Sequence, residues 1–195
     1  MREILRLVVV LSIICAVAGF SLALVHKVTK AQIDYQQVKF VKEPAVKRVL
    51  TGYDNDPIKD RKELEIGKDK YGRPQFLLVF PAKKEGKTFA LAMETYGKGY
   101  HGDVGVMVGI DVESGKLTGI GITSHSETPG IGAKAVEPSF TDQFKDIAIQ
   151  EDVKKKSDGG KIEALSGATL TTNGVLSAVN SALKYYKELK DKLIS

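Results

Sequence analysis

The chain has 195 residues, 43% hydrophobic and 27% charged, which allows a packed core of domain size and excludes bulk disorder. Its formal net charge of +5, without a basic cluster, does not indicate nucleic acid as a partner. The single cysteine, Cys15, excludes an intrachain disulfide and a thiolate metal cage, and the spacing of His26, His101 and His125 points to no zinc site.

Residues 7–25, LVVVLSIICAVAGFSLALV, carry no charge. As a helix rising about 1.5 Å per residue, this run spans about 28 Å, close to the ~30 Å hydrocarbon core of a bilayer. A cleaved signal peptide is the competing reading. Its apolar part usually runs to about 7–15 residues and ends at a small-x-small site. Here the run is longer and exits into HKVTKAQI, so the sequence predicts a retained single-pass anchor. Arg2 and Arg6 lie before it and Lys27, Lys30, Lys39 and Lys42 after it, which leaves orientation open.

Beyond the anchor, Val38, Val41, Ala45, Val46 and Val49 recur at helical spacing. They predict helix over residues 27–50, interrupted near Glu43 by Pro44 and stopped by Gly52. The segment YDNDPIKDRKE, residues 53–63, reads as a polar link. Four β-rich runs follow: QFLLVFPA (75–82), TFALAMET (88–95), DVGVMVGID (103–111) and KLTGIGITS (116–124). The short joints KKEGK and VESG predict antiparallel pairing. A loop with Pro129, Gly130 and Gly132 leads to a short helix expected at 139–147, then to the lysine-rich turn KKKSDGGK. The last element is a helix expected from about Asn173, with Val175, Val179, Ala182, Tyr186, Leu189 and Leu193 as its buried stripe. The expected division is an anchor over 1–26, a helical connector over 27–60 and a domain over 61–195.

Two motif matches fail on context. GKGYHG fits G-x-G-x-x-G but runs into a strand, whereas a dinucleotide fingerprint must open a helix. EGKT has the tail of a P-loop, yet Pro81 stands where its first glycine belongs and a strand follows.

Two other stretches carry chemistry. SGAT, residues 166–169, places small and hydroxyl residues before the final helix. The plain reading is a helix start, with Thr171, Thr172 or Asn173 as the cap and Gly167 as the turn. In HSETPGIGAK, residues 125–134, His125 and Glu127 follow a strand at i and i+2 and so share a side. They could serve as an acid–base pair, as polar anchors for a flat heteroaromatic ligand, or simply as part of a surface turn. Tyr96 and Tyr100 could fill the core or stack on a ring.

Together, SGATLTTNGV, HSETPGIG some forty residues upstream and GYHGDVGVMVGID resemble the FMN-binding domain of the G subunit of Rnf-type electron transport complexes. The C subunit of the sodium-translocating NADH:quinone reductase is related, and the compact length is more like the Rnf subunit. The resemblance implies an α/β (α+β) fold: one transmembrane helix, then a mainly antiparallel sheet and a C-terminal helix. It implies FMN joined through its phosphate to Thr169 by a separate flavin transferase. Ser166, Gly167 and Ala168 would lie close to the phosphate. Glu127, Thr128, His125 and Gly130 would border the ring. The family commonly has an aspartate three residues before the motif's serine, and Glu163 stands there in this chain.

The implied function is a membrane-anchored electron carrier, active only as one subunit of an ion-translocating oxidoreductase that couples ferredoxin and NAD. Its partners would be the other membrane and iron–sulfur subunits. Its place would be the bacterial cytoplasmic membrane, with the domain on the outer side. The alternatives are a subunit of the quinone reductase, a cofactor-free tethered binding or assembly module, and an FMN enzyme with its own substrate.

Overall fold

The computed structural model describes residues 2–68 and 71–194. It divides into two compact units, Met1–Phe40 and Val41–Ser195. In the first, helix α1 (Arg2–Gln37) contains an exposed apolar stretch, Arg2–Lys30, of mean hydropathy 2.8. That is long and apolar enough to cross a membrane.

A π-helical turn, Val38–Lys42, leads into α2 (Glu43–Val49). Pro44 explains this break. It has no N–H to donate and its ring crowds the preceding turn, so the helix widens just before it. α2 ends at Leu50, whose backbone is extended, two residues before the expected stop at Gly52.

The larger unit is built on a five-stranded antiparallel meander in the order β1-β2-β3-β4-β5. The strands are β1 (Lys62–Lys68), β2 (Pro74–Lys84), β3 (Lys87–Lys98), β4 (Asp103–Asp111) and β5 (Lys116–Ser124). Four are the strands expected from sequence, two of them longer. The fifth, β1, begins inside the segment read as a polar link. Its sequence, KELEIGK, is mostly charged; Leu64 and Ile66 turn inward onto the core. That pattern suits an edge strand. Pro81 is tolerated within β2 because β1 stops pairing at Val79, and Asn55 continues the edge in its place. Asn55 donates to the Pro81 carbonyl at 3.0 Å and accepts from the Lys83 N–H at 2.8 Å.

Alternation divides the strand residues between two cores. On one face Leu91, Met93, Val104, Val106, Val108 and Ile110 pack against Val175, Val179, Ala182 and Tyr186 of α4 (Thr169–Ile194). On the other face Phe80, Ala90, Ala92 and Met107 pack against Ala45, Val46 and Val49 of α2. The helix expected at 139–147 is shorter: α3 (Pro138–Thr141) runs into a 3-10 turn that ends at Phe144, because Lys145 is extended.

Candidate functional site

Helix α4 begins at Thr169, earlier than the expected Asn173. Gly167, at φ 75°, turns the chain into it, a backbone conformation that costs glycine least. The Thr172 N–H bonds the Ala168 carbonyl at 3.0 Å and so closes the first helical turn. The three residues considered as caps all lie inside the helix. The Thr172 hydroxyl accepts from the Leu165 N–H at 3.1 Å and donates to the Ala168 carbonyl at 3.1 Å. Asn173 accepts from the Lys155 ammonium at 3.1 Å. Thr171 reaches a different segment.

That segment is the loop after β5. The Glu127 carboxylate accepts the Thr171 hydroxyl at 2.5 Å on Oε2. On Oε1 it accepts the backbone N–H groups of Tyr100 and His101, at 2.9 and 3.1 Å. The residue is only 6% exposed. Burial alone would raise its pKa. The Thr171 hydroxyl, the two backbone donors and the nearby His101 outweigh burial and hold it below the ordinary carboxylate value. Glycines make room for it. A Cβ on Gly99 would come within 2.5 Å of Oε1, and one on Gly132 within 2.8 Å of Oε2.

These three segments enclose a cleft of about 450 Å³ lined by Tyr100, Glu127, Thr128, Ile131, Gly132 and residues 167–171. Its size lies within the ~300–1,000 Å³ usual for small-molecule sites. The apolar side chains of Tyr100, Ile131 and Leu170 are exposed around it, a rim able to take a flat ring. Thr169 is exposed, whereas Thr171 and Thr172 are buried with their hydroxyls engaged. The opening turn of a long helix offers unpaired N–H groups and a positive dipole end, both suited to a phosphate. The residues present therefore fit FMN in size, in apolar surface and in charge.

Not every expected residue joins this lining. Gly167, Ala168, Thr169, Glu127 and Thr128 do, while Ser166, Gly130 and His125 stand outside it. The His125 ring accepts the Glu127 backbone N–H at 3.3 Å, and no bond joins it to the Glu127 carboxylate among the described residues. His101 is the histidine near the cleft wall, with Nδ1 3.5 Å from the Thr128 hydroxyl. Its ring meets that of Tyr100 edge-on at 4.6 Å between centroids. Sequence reasoning passed over His101, Ile131 and Leu170. His101 lies in GKGYHG, rejected as a dinucleotide fingerprint, and in the GYHGDVGVMVGID stretch that carries the resemblance. Glu163 is exposed and pairs with Lys156 at 3.1 Å.

The FMN-binding domain family matches residues 99–184, the segment that contains this whole site. The chain thus carries a domain of the FMN-binding class, preceded in the sequence by a helix long and apolar enough to cross a membrane. It belongs to the family formed by the G subunits of ion-translocating oxidoreductase complexes. It is 32% identical to the G subunit of the ion-translocating oxidoreductase complex of Methanosarcina acetivorans, over 94% of this chain and 95% of that protein. It is 33% identical to the G subunit of the Na(+)-translocating ferredoxin:NAD(+) oxidoreductase complex of Acetobacterium woodii, over 96% and 94%. The fold is similar to that of the C subunit of the Na(+)-translocating NADH-quinone reductase from Parabacteroides distasonis, with TM-score 0.50 and 24% identity over 71% of this chain and 70% of that one.

Proposed function

We propose that this chain is an electron-carrier subunit of a complex that couples electron transfer between ferredoxin and NAD to ion translocation, with FMN esterified to Thr169. The observation that carries the attachment site is the contrast among neighbouring threonines. Thr169 is exposed at the opening of α4 and lines the cleft, while Thr171 and Thr172 are buried and bonded. In the transfer, Thr169 Oγ forms a bond to the flavin phosphorus as the bond from that phosphorus to the donor's leaving group breaks, the leaving group takes the hydroxyl proton, and the chain gains one FMN less one water. A flavin transferase would act on the folded chain to make this bond. When bound, FMN supplies the redox chemistry; the protein holds and orients it.

Ser166, Gly167 and Ala168 lie beside the phosphate end in this reading, with Thr128 and Gly130 on the side of the ring. The remaining negative charge of the phosphodiester is favoured by the N-terminal end of α4. A covalent tether also keeps the local cofactor concentration high. Residues 1–26 form the anchor, 27–60 connect it and 61–195 bear the flavin. The resemblance supports a domain on the outer side of the membrane. The isolated subunit turns over no substrate of its own.

The test is intact mass of the full chain expressed with a flavin transferase, beside Thr169→Ala. The expected outcome is a gain of one FMN less one water in the parent chain and none in the variant. A bare polypeptide mass in both, with the transferase labelling a control protein, rejects the attachment.

A further inference from the structure

We infer that Glu127 is a positioning residue for cofactor attachment, which holds the first turn of α4 and the 99–102 turn in the one arrangement that presents Thr169 at the cleft. The inference rests on the proposed attachment at Thr169.

Glu127 is the point where three separate parts of the sequence meet. It lies in the loop after β5, takes two backbone N–H groups from the turn after β3, and takes a hydroxyl from α4. Both carboxylate oxygens are thereby engaged by the protein itself. The first turn of α4 contains no acidic residue, so Glu127 supplies from another segment the negative charge that a helix start favours. Thr171 is two residues beyond Thr169, so the bond fixes the turn on which the attachment hydroxyl sits. Gly99 and Gly132 leave the room that the carboxylate occupies, since a Cβ on either would come within 2.8 Å of one of its oxygens. These contacts act on the direction of Thr169 and leave its chemistry unaltered.

Without the carboxylate, two part-buried N–H groups and one buried hydroxyl lose their partner, the last at the greatest cost. The first turn of α4 then settles elsewhere, and a reacting group displaced by about 1 Å loses on the order of a hundredfold in rate.

The experiment expresses the full chain with a flavin transferase and samples it early, comparing the parent with Glu127→Ala, Glu127→Gln, Thr171→Val and Thr171→Ser. The flavinylated fraction is read by intact mass, the environment of the attached flavin by visible circular dichroism, and folding by thermal unfolding. Early labelling is expected to fall roughly tenfold or more in Glu127→Ala and Thr171→Val, and less in Glu127→Gln. Thr171→Ser keeps the hydroxyl and restores labelling relative to Thr171→Val. The residual attached flavin in Glu127→Ala shows an altered visible spectrum, which a loss of global stability alone would not produce. If Glu127→Ala or Glu127→Gln folds and is labelled at the parent rate with the parent spectrum, the positioning role is overturned and attachment at Thr169 stands. An unlabelled parent chain, with a labelled control, overturns both. Should Glu127→Ala not fold, Glu127→Gln and the Thr171 pair give the same decision.

Discussion

Both faces of the sheet are closed by apolar packing, glycine contacts and a hydroxyl bond, and the α2 side adds a buried lysine–carboxylate pair. The α4 side carries the larger apolar cluster and a crossing of two glycines. A Cβ on Gly97 would collide with the Gly174 carbonyl, and one on Gly174 would come within 2.8 Å of the Lys98 carbonyl. The Thr95 hydroxyl adds a buried bond of 2.8 Å to the Ala178 carbonyl. On the α2 side the apolar cluster is smaller. There the Thr118 hydroxyl donates to the Val49 carbonyl at 2.5 Å, and Lys42 pairs with the 7%-exposed Glu94 at 2.8 Å. Tyr96, on the same face, has its pKa pushed up to about 12 by partial burial and by Glu94. The side that bears the proposed flavin attachment closes on apolar and steric contact, with the Glu127 carboxylate holding the start of α4. The α2 side adds the Lys42–Glu94 pair to its apolar and glycine contacts, for a Cβ on Gly109 would come within 2.7 Å of Val49.

The most damaging change should be Gly97→Val, which forces backbone apart on the α4 side. We expect a loss of more than about 3 kcal/mol in urea unfolding, with labelling of Thr169 lost as α4 shifts. A stable, normally labelled variant would show that the glycine crossing does not fix α4. Next comes Lys42→Met, which leaves the Glu94 carboxylate buried without its cation. The expected cost is about 2 kcal/mol, below the usual ~3–5 for a buried pair because the Lys42 side chain is 18% exposed. Unchanged stability would mean that apolar packing alone closes the α2 side.

The smallest effect should be a dependence on pH at Glu127. Its folded pKa lies below the ordinary 4.5, so its bonds stabilise the fold fully above that value. The contribution is lost as pH falls through the lower folded value. Glu127→Gln should therefore cost more stability at pH 7 than in acid, measured as paired urea curves. An equal cost at both would detach the stabilisation from the carboxylate charge.

Much of this architecture was readable in the sequence. Four strands announced themselves by β-rich apolar runs between short turns, and SGAT and HSETPGIG located the cleft. β1 escaped because KELEIGK has only two apolar residues, and an edge strand needs few. The start of α4 was placed too late because Thr171, Thr172 and Asn173 look like caps. Their side chains instead bond Glu127, Leu165 and Lys155, partners far away or on the preceding turn. His125 and Glu127 do sit two apart in an extended stretch. Local spacing could not tell that the carboxylate turns inward to three donors while the imidazole takes the backbone N–H. The glycine crossing left no trace either, since a glycine in a strand looks the same whether it faces solvent or a helix.

That crossing has an evolutionary consequence. When a side chain grows in an ordinary core, a neighbour can shrink to compensate. Gly97 and Gly174 leave no such exchange, because each already has the smallest possible side chain and meets backbone. Single steps away from glycine at either position lead downhill, and no second step at the other restores the lost space. In descendants of this chain the distance from β3 to α4 stays inherited unchanged.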